Sequence, residues 1–279
     1  MNVKIFPVFH SAIDQRLIFQ AFTQAEVDRF FTLYGVNQSK PRKLVTTLDG
    51  RTTMASSDDP NVMLEYHLPW HDPNIQSRGY METSCYVHLL KNRLHESFDY
   101  VGVCQYDMRW TPLAAELLRR LSLESPNSRN TVYGLICGTL MDARGQLHPL
   151  AFAQIRNWPF LLESYNRFFG ARCDMQTLIG KPFTLWQTYL MPRQQFADMA
   201  AWLEVLCTEV YPWANQPPYE THWGVLSGYT ERAESLFVAA RLHEAAIAVQ
   251  HLPLEHDPSI VQKLAISKEH YGDIPGPTS

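Results

Sequence analysis

Apolar positions along the first half of the chain switch between strand-like runs and helical spacings. Residues 3–9 (VKIFPVF) form a short apolar run of strand character, followed by SAIDQRLIFQAFTQAEVDRFFTLYG (11–35). There Leu17, Phe19, Phe22, Val27, Phe30 and Phe31 predict helical segments. A second β-rich run, RKLVTTL (42–48), leads through Asp49-Gly50 into the polar SSDDPN (56–61), which reads as a turn or loop. LPWHDPNIQS (68–77) is loop-like as well. Residues 80–95 (YMETSCYVHLLKNRLH) set Met81, Cys85, His88 and Leu89 on one helical face and Tyr80, Val87, Leu90 and Leu94 on an adjoining one. A helix apolar on most sides is largely buried. YVGVCQYDMRW (100–110) then opens as a buried strand and breaks, without a turn residue, into Gln105, Tyr106, Asp107 and Arg109. A helix, TPLAAELLRRL, follows with Pro112 near its start, and then a β-rich run, TVYGLICGTL (131–140).

This alternation predicts an α/β fold with a central, mostly parallel sheet flanked by helices. In such sheets the ligand crevice lies beyond the carboxyl ends of the strands, where Gln105 to Asp107 would sit. The second half is more helical, with 157–170 and 194–211 separated from a last helix by an aromatic, proline-rich loop, PWANQPPYETHWG (212–224). That last helix is expected over about 229–249, with Ala233, Leu236, Phe237, Ala240 and Ile247 on one face. From Gln250 onward the chain reads as an irregular tail. No repeat, low-complexity block or linker interrupts it.

Composition narrows the class. The chain has 279 residues, 46% of them hydrophobic, enough for a sizeable core. A net charge of -4 carries no basic bias, which argues against an extended nucleic-acid footprint while leaving room for a local cationic pocket. Five scattered cysteines form no CxxC pair and read as reduced core residues. The N-terminal residues lack the apolar core of a signal peptide, and no window is apolar enough for a membrane span, so a cytoplasmic location is expected. Walker, GxGxxG, GxSxG and HExxH motifs are absent, which lowers the P-loop, dinucleotide, esterase and zincin readings.

Three segments, GYMETSCYVHLLKN, YVGVCQYDMRW and GVLSGYTERAESLFVAARL, together resemble the glycosyltransferase-like proteins of capsular-polysaccharide synthesis. In that family a Glu-containing helix precedes a strand ending in a His-Tyr-Arg-Arg-like sequence, and a Gly-aromatic-x-Glu-Arg motif starts a long helix. Here the last motif is Gly228-Tyr229-Thr230-Glu231-Arg232, whereas Gln105-Tyr106-Asp107 replaces His-Tyr-Arg. The resemblance implies a GT-A-like, Rossmann-related fold in one domain over 1–279. Its nucleotide-sugar-binding half would span 1–150, its acceptor-side half 151–256 and an irregular tail 257–279. It also implies a nucleotide-sugar donor, a glycan or other hydroxyl acceptor, and a divalent cation, Mn²⁺ or Mg²⁺. GT-A enzymes hold that cation with an Asp-x-Asp at a strand end; Gln105-Tyr106-Asp107 keeps the second carboxylate and puts an amide oxygen in place of the first.

Transfer needs neutralisation of the diphosphate, orientation of the donor and a base for the acceptor hydroxyl. Asp107 is a hard oxygen ligand for the cation, and Arg109 a phosphate clamp; equally, the two form a solvated ion pair at a strand-end turn. Glu82 and Glu231 each sit where a helix start favours a carboxylate. The alternative places Glu82 in the donor pocket and Glu231 as general base, with Glu220, Asp107 and His222 as rivals and Arg232 on the acceptor side. His222 and Trp223 belong to an aromatic loop suited either to a sugar face or to a core. Pro7, Phe9 and His10 end the first strand, where the fold seats the nucleotide base. His251 reads as a post-helix surface histidine or as a last metal ligand. The rival readings are a non-catalytic glycan-binding or assembly protein and another nucleotide-utilising α/β enzyme.

Overall fold

The computed structural model describes residues 1–40, 42–77, 80, 82–125, 130–154, 157–212 and 225–263. Seven strands make the central sheet: β1 (Val3–Phe9), β2 (Leu33–Gly35), β3 (Val62–Leu64), β4 (Tyr100–Gln105), β5 (Thr131–Thr139), β6 (Pro182–Pro192) and β7 (Ala248–His251). Their order is β7-β5-β6-β4-β1-β2-β3. β6 runs antiparallel to β4 and β5, and every other pairing is parallel. The mixed α/β fold with a mostly parallel sheet is thus present, and strands from both halves of the chain complete it.

Alternation of side chains across the pleat builds two cores. β1 sends Val3, Ile5 and Phe9 to one face and Phe6 and Val8 to the other; β4 likewise divides Tyr100 and Cys104 from Val101 and Val103. Six helices cover these faces: α1 (Gln24–Phe30), α2 (Thr83–Lys91), α3 (Pro112–Leu123), α4 (Trp158–Phe169), α5 (Arg193–Val210) and α6 (Val225–His243). α1 and α3 lie over the first face and the other four over the second. α3 starts where the Thr111 hydroxyl accepts from the Ala114 amide and Pro112 takes the first turn, where its missing N–H costs nothing. Within the sheet the strands leave no room at Gly102: a Cβ there would lie 2.9 Å from Ile5 Cγ1 and 3.0 Å from the Tyr189 carbonyl oxygen, both on neighbouring strands.

Several elements depart from the sequence reading. The last helix begins at Val225 and ends at His243, because Ala245 takes a left-handed conformation (φ 55) and the chain re-enters the sheet as β7. Ile247 and Val249 therefore pack beside a strand, consistent with their β-branched shape. α2 is shorter than the expected 80–95: Arg93 turns left-handed (φ 58) and a 3₁₀ turn, Leu94–Ser97, follows. Residues Leu44–Thr46 form a three-stranded side sheet with Ala12–Asp14 and Thr52–Met54 rather than joining the main one. The tail is not irregular throughout, since Leu254–His256 pairs antiparallel with Met108–Trp110 just past β4. The cysteines are all free, and Cys85, Cys104, Cys173 and Cys207 are buried.

Candidate active site

The parallel register of β1 and β4 brings their carboxyl ends together, with Val8 opposite Gln105. Both strands then leave the sheet, β1 into His10 and β4 into a two-residue turn, Tyr106-Asp107. At this edge lies a cavity of about 260 Å³. His10, Glu82, Gln105, Tyr106, Asp107 and Glu231, all singled out in the sequence, line it, together with Gln187 and Ser227. Residues from five separate stretches of chain therefore meet at one point.

Asp107 is 8% exposed. Its Oδ2 lies 3.2 Å from His256 Nε2, while Oδ1 is buried without a hydrogen-bond partner among the described residues. Burial raises the Asp107 carboxyl above its ordinary range, and the neighbouring His256 pulls in the opposite direction. His256 is carried in by Leu254–His256 and stacks on Trp186, the ring centroids 5.2 Å apart. Glu82 occupies the N-cap position of α2, where a helix start favours a carboxylate, but its side chain makes no capping hydrogen bond. That side chain instead reaches to 3.6 Å from His10 Nε2. The His10 ring meets Tyr106 edge-on.

Glu231 lies away from its helix start, two turns into α6. Its Oε1 accepts from the Trp186 backbone N–H at 2.5 Å and its Oε2 from Arg232 Nη1 at 2.5 Å. Arg232 is buried and spends its other end on the Leu150 carbonyl oxygen, so it steadies Glu231 rather than facing the cavity. Glu234, one turn further on, is fully buried with Oε2 unpartnered among the described residues. Desolvation pushes its carboxyl well above the ordinary range, and the charge of Glu231 adds to this.

Other expected residues lie elsewhere. Arg109 does not line the cavity: it forms ion pairs with Asp257 and Glu255, so its guanidinium is already committed. Pro7 pairs with Cys104 inside the sheet and Phe9 is core, leaving the half-buried His10, just past that strand, to line the cavity. His251 sits on β7 with Nδ1 accepting from the Ile136 N–H; the late histidine that meets Asp107 is His256. Glu220, His222 and Trp223 lie outside the described residues.

Two site residues were not anticipated, Trp186 and Gln187, both in β6. The register of β6 against β5 shifts between Thr184 and Tyr189, and within this bulge Trp186 (φ 65) and Gln187 (φ 44) adopt left-handed conformations. Such backbone costs about 1–3 kcal/mol per non-glycine residue and persists only where surrounding contacts hold it. The Gln187 carbonyl oxygen accepts from the Tyr86 hydroxyl, and its side chain is held from below by α2 and α6. The run FTLWQTYL carried a legible strand signal in its aromatic and β-branched residues. The bulge inside it carried none.

No protein-family description and no curated protein matches the chain. Among solved structures, the apo form of the bifunctional glycosyltransferase WbbM superposes with a TM-score of 0.55 at 13% identity, over 92% of this chain and 46% of that one. The chain has a glycosyltransferase fold. It spans about half the length of that bifunctional protein, and the likeness is one of architecture. In this glycosyltransferase fold the cavity occupies the carboxyl edge of the central strands, where open α/β sheets bind ligands.

A second polar cluster lies to one side. Glu65, His71 and His88 each bring one potential metal-ligating atom within 4.8 Å of the others, and Glu65 and His71 border a separate cavity of about 430 Å³. His88 Nε2 accepts from the Asp72 N–H, which places the ring proton on Nδ1, 3.2 Å from Glu65 Oε2. Glu65 also accepts from the Asn37 N–H and the Ser84 hydroxyl. The group can hold a cation only if His88 gives up the Asp72 bond. As arranged, it ties three loops together.

Proposed function

We propose that the chain is a nucleotide-sugar-dependent glycosyltransferase whose donor sugar and diphosphate bind at the cavity beside Asp107. The observation that carries this reading is the meeting of Glu82, Asp107 and Glu231 at the carboxyl edge of a glycosyltransferase fold. No lysine or arginine is among the described residues lining the cavity, so the site itself offers no fixed cation for a diphosphate. A divalent cation fits that gap. Asp107 Oδ1 is an unpartnered buried oxygen, a hard ligand, with the softer imidazole nitrogen of His256 beside Oδ2 and Gln105 nearby. When bound, the cation would supply the charge that neutralises the diphosphate leaving group.

The remaining steps fall to the chain's own residues. Glu231, held by a backbone N–H and a guanidinium, takes the proton of the acceptor hydroxyl. Glu82 and His10 line the opposite wall and orient the donor. Arg232 fixes the Glu231 carboxylate and keeps it from turning toward Glu234.

The test is a thermal-shift panel of nucleoside diphosphates and nucleotide sugars with and without Mn²⁺. A Mn²⁺-dependent stabilisation by one nucleotide, absent in Asp107→Ala, is the expected outcome. Turnover of the donor, with the sugar appearing on a glycan acceptor, then separates a transferase from a binding protein and from a hydrolase. A panel without any nucleotide response would overturn the reading.

A further inference from the structure

The floor of the cavity is a hydrogen-bond chain with a fixed direction. The Thr230 hydroxyl donates to the backbone oxygens of Leu226 and Ser227, at 3.3 and 3.2 Å, and the Thr83 hydroxyl donates to Thr230 Oγ1 at 2.8 Å. Each hydroxyl has one proton, so both threonine oxygens are left as acceptors toward Gln187. Gln187 Nε2 donates to Thr83 Oγ1 at 2.7 Å, to Thr230 Oγ1 at 3.3 Å and to Glu234 Oε1 at 3.1 Å. Turning the amide over would set its oxygen against the two threonine oxygens, whose protons are already spent. The nitrogen is therefore locked downward, and the carbonyl oxygen Oε1 is left for the cavity that Gln187 lines.

The walls have the same character. Glu82, Asp107 and Glu231 bring carboxyl oxygens, which accept hydrogen bonds, and among the described lining residues there is no lysine or arginine, His10 being the basic side chain present. A sugar ring bearing only hydroxyls can donate to all of them. A ring bearing a carboxylate would set it among three carboxyl groups in a partly desolvated space.

We propose, on the basis of the donor-site reading above, that this cavity takes a sugar without a carboxylate, and that Gln187 is its specificity-determining residue, with Oε1 accepting from a ring hydroxyl. Thr83, Thr230 and Glu234 are positioning residues that hold the amide in that orientation.

The experiment is isothermal titration of the full chain, in Mn²⁺, with pairs of nucleotide sugars that differ in one oxidation. UDP-glucose is paired with UDP-glucuronic acid, and GDP-mannose with GDP-mannuronic acid. The neutral member of whichever pair binds is expected to bind at least tenfold tighter than its acid. Gln187→Met should remove the affinity the neutral sugar adds over the bare nucleoside diphosphate. Equal or tighter binding of the acid overturns this inference and leaves the donor-site reading standing; failure of every nucleotide to bind overturns both. If Gln187→Met does not fold, Thr230→Val frees the amide to turn over. A narrowed gap between neutral and acid sugars then supports the locked amide, and an unchanged gap overturns it.

Discussion

At the scale of single residues, the site is a set of carboxylates held in different states by their surroundings. Glu231 has a partner on each oxygen, whereas Glu234, three residues on, has one hydrogen bond and no solvent. Burial raises the Glu234 carboxyl well above its unfolded value, so between those two values the folded chain keeps a proton that the unfolded chain has lost. Stability then falls as pH rises through that window, by about 1.4 kcal/mol per unit. Glu234→Gln copies the protonated form and removes the dependence. Its melting temperature should match the parent near pH 4.5 and exceed it increasingly toward pH 8, as read by thermal unfolding across that range. Glu231→Gln should behave differently, keeping Mn²⁺ and nucleotide binding while turnover drops by about 10²–10⁴-fold in a transfer assay. Asp107 and Glu231 were legible in the sequence because a strand end and the Glu-Arg motif marked them, whereas Glu234 was not singled out. Their partners were not: His256 and Trp186 reach the site through pairings far along the chain.

At the scale of elements, β6 does the least expected work. Its end, Tyr189 to Pro192, pairs as an ordinary antiparallel strand, while the register against β5 already shifts between Phe183 and Thr184. The bulge before that end turns one backbone N–H to Glu231, one side chain to the cavity floor and one indole onto His256. Trp186→Ala keeps the N–H and removes the indole. Loss of a ring contact of this kind is worth about 0.5–1.5 kcal/mol, so Mn²⁺ affinity measured by titration should weaken up to roughly tenfold. The fold should be preserved in far-UV circular dichroism. The apolar, aromatic and β-branched residues of β6 could mark it as a strand, as the apolar runs of β1 and β4 marked theirs. A bulge with two left-handed residues follows from tertiary contacts with α2 and α6, which leave no local pattern. The same limit explains the overlong last helix. Alternating apolar residues continued past His243, and only the left-handed Ala245 and the vacant edge beside β5 assign them to β7.

At the scale of the whole molecule, the sheet draws strands from both halves of the chain, and the site depends on the last described segment. Leu252, Leu254 and Ile260 are anchored in the same core as β1, α1 and α3, and they hold His256 against Asp107. A chain ended after Pro253 should lose the Mn²⁺-dependent thermal shift and also melt several degrees lower, because Leu254 and Ile260 leave the core. Asp107→Asn should lose the shift while melting close to the parent. Comparing the two by differential scanning fluorimetry separates the role of the tail in packing from its role at the site. The alternation of strands and helices made the architecture readable. The return of the tail to β4 was not, because a three-residue strand carries too little pattern to declare its partner.

The pairing of Asp107 with His256 spans 149 residues of sequence. At a synthesis rate of roughly 5–20 residues per second, a nascent chain would carry Asp107 for about 7 to 30 s before His256 is even made. On the proposed reading, a cation that needs both side chains would find its site only after His256 has been made, so manganese retention by ribosome-bound chains should begin only with those long enough to expose it.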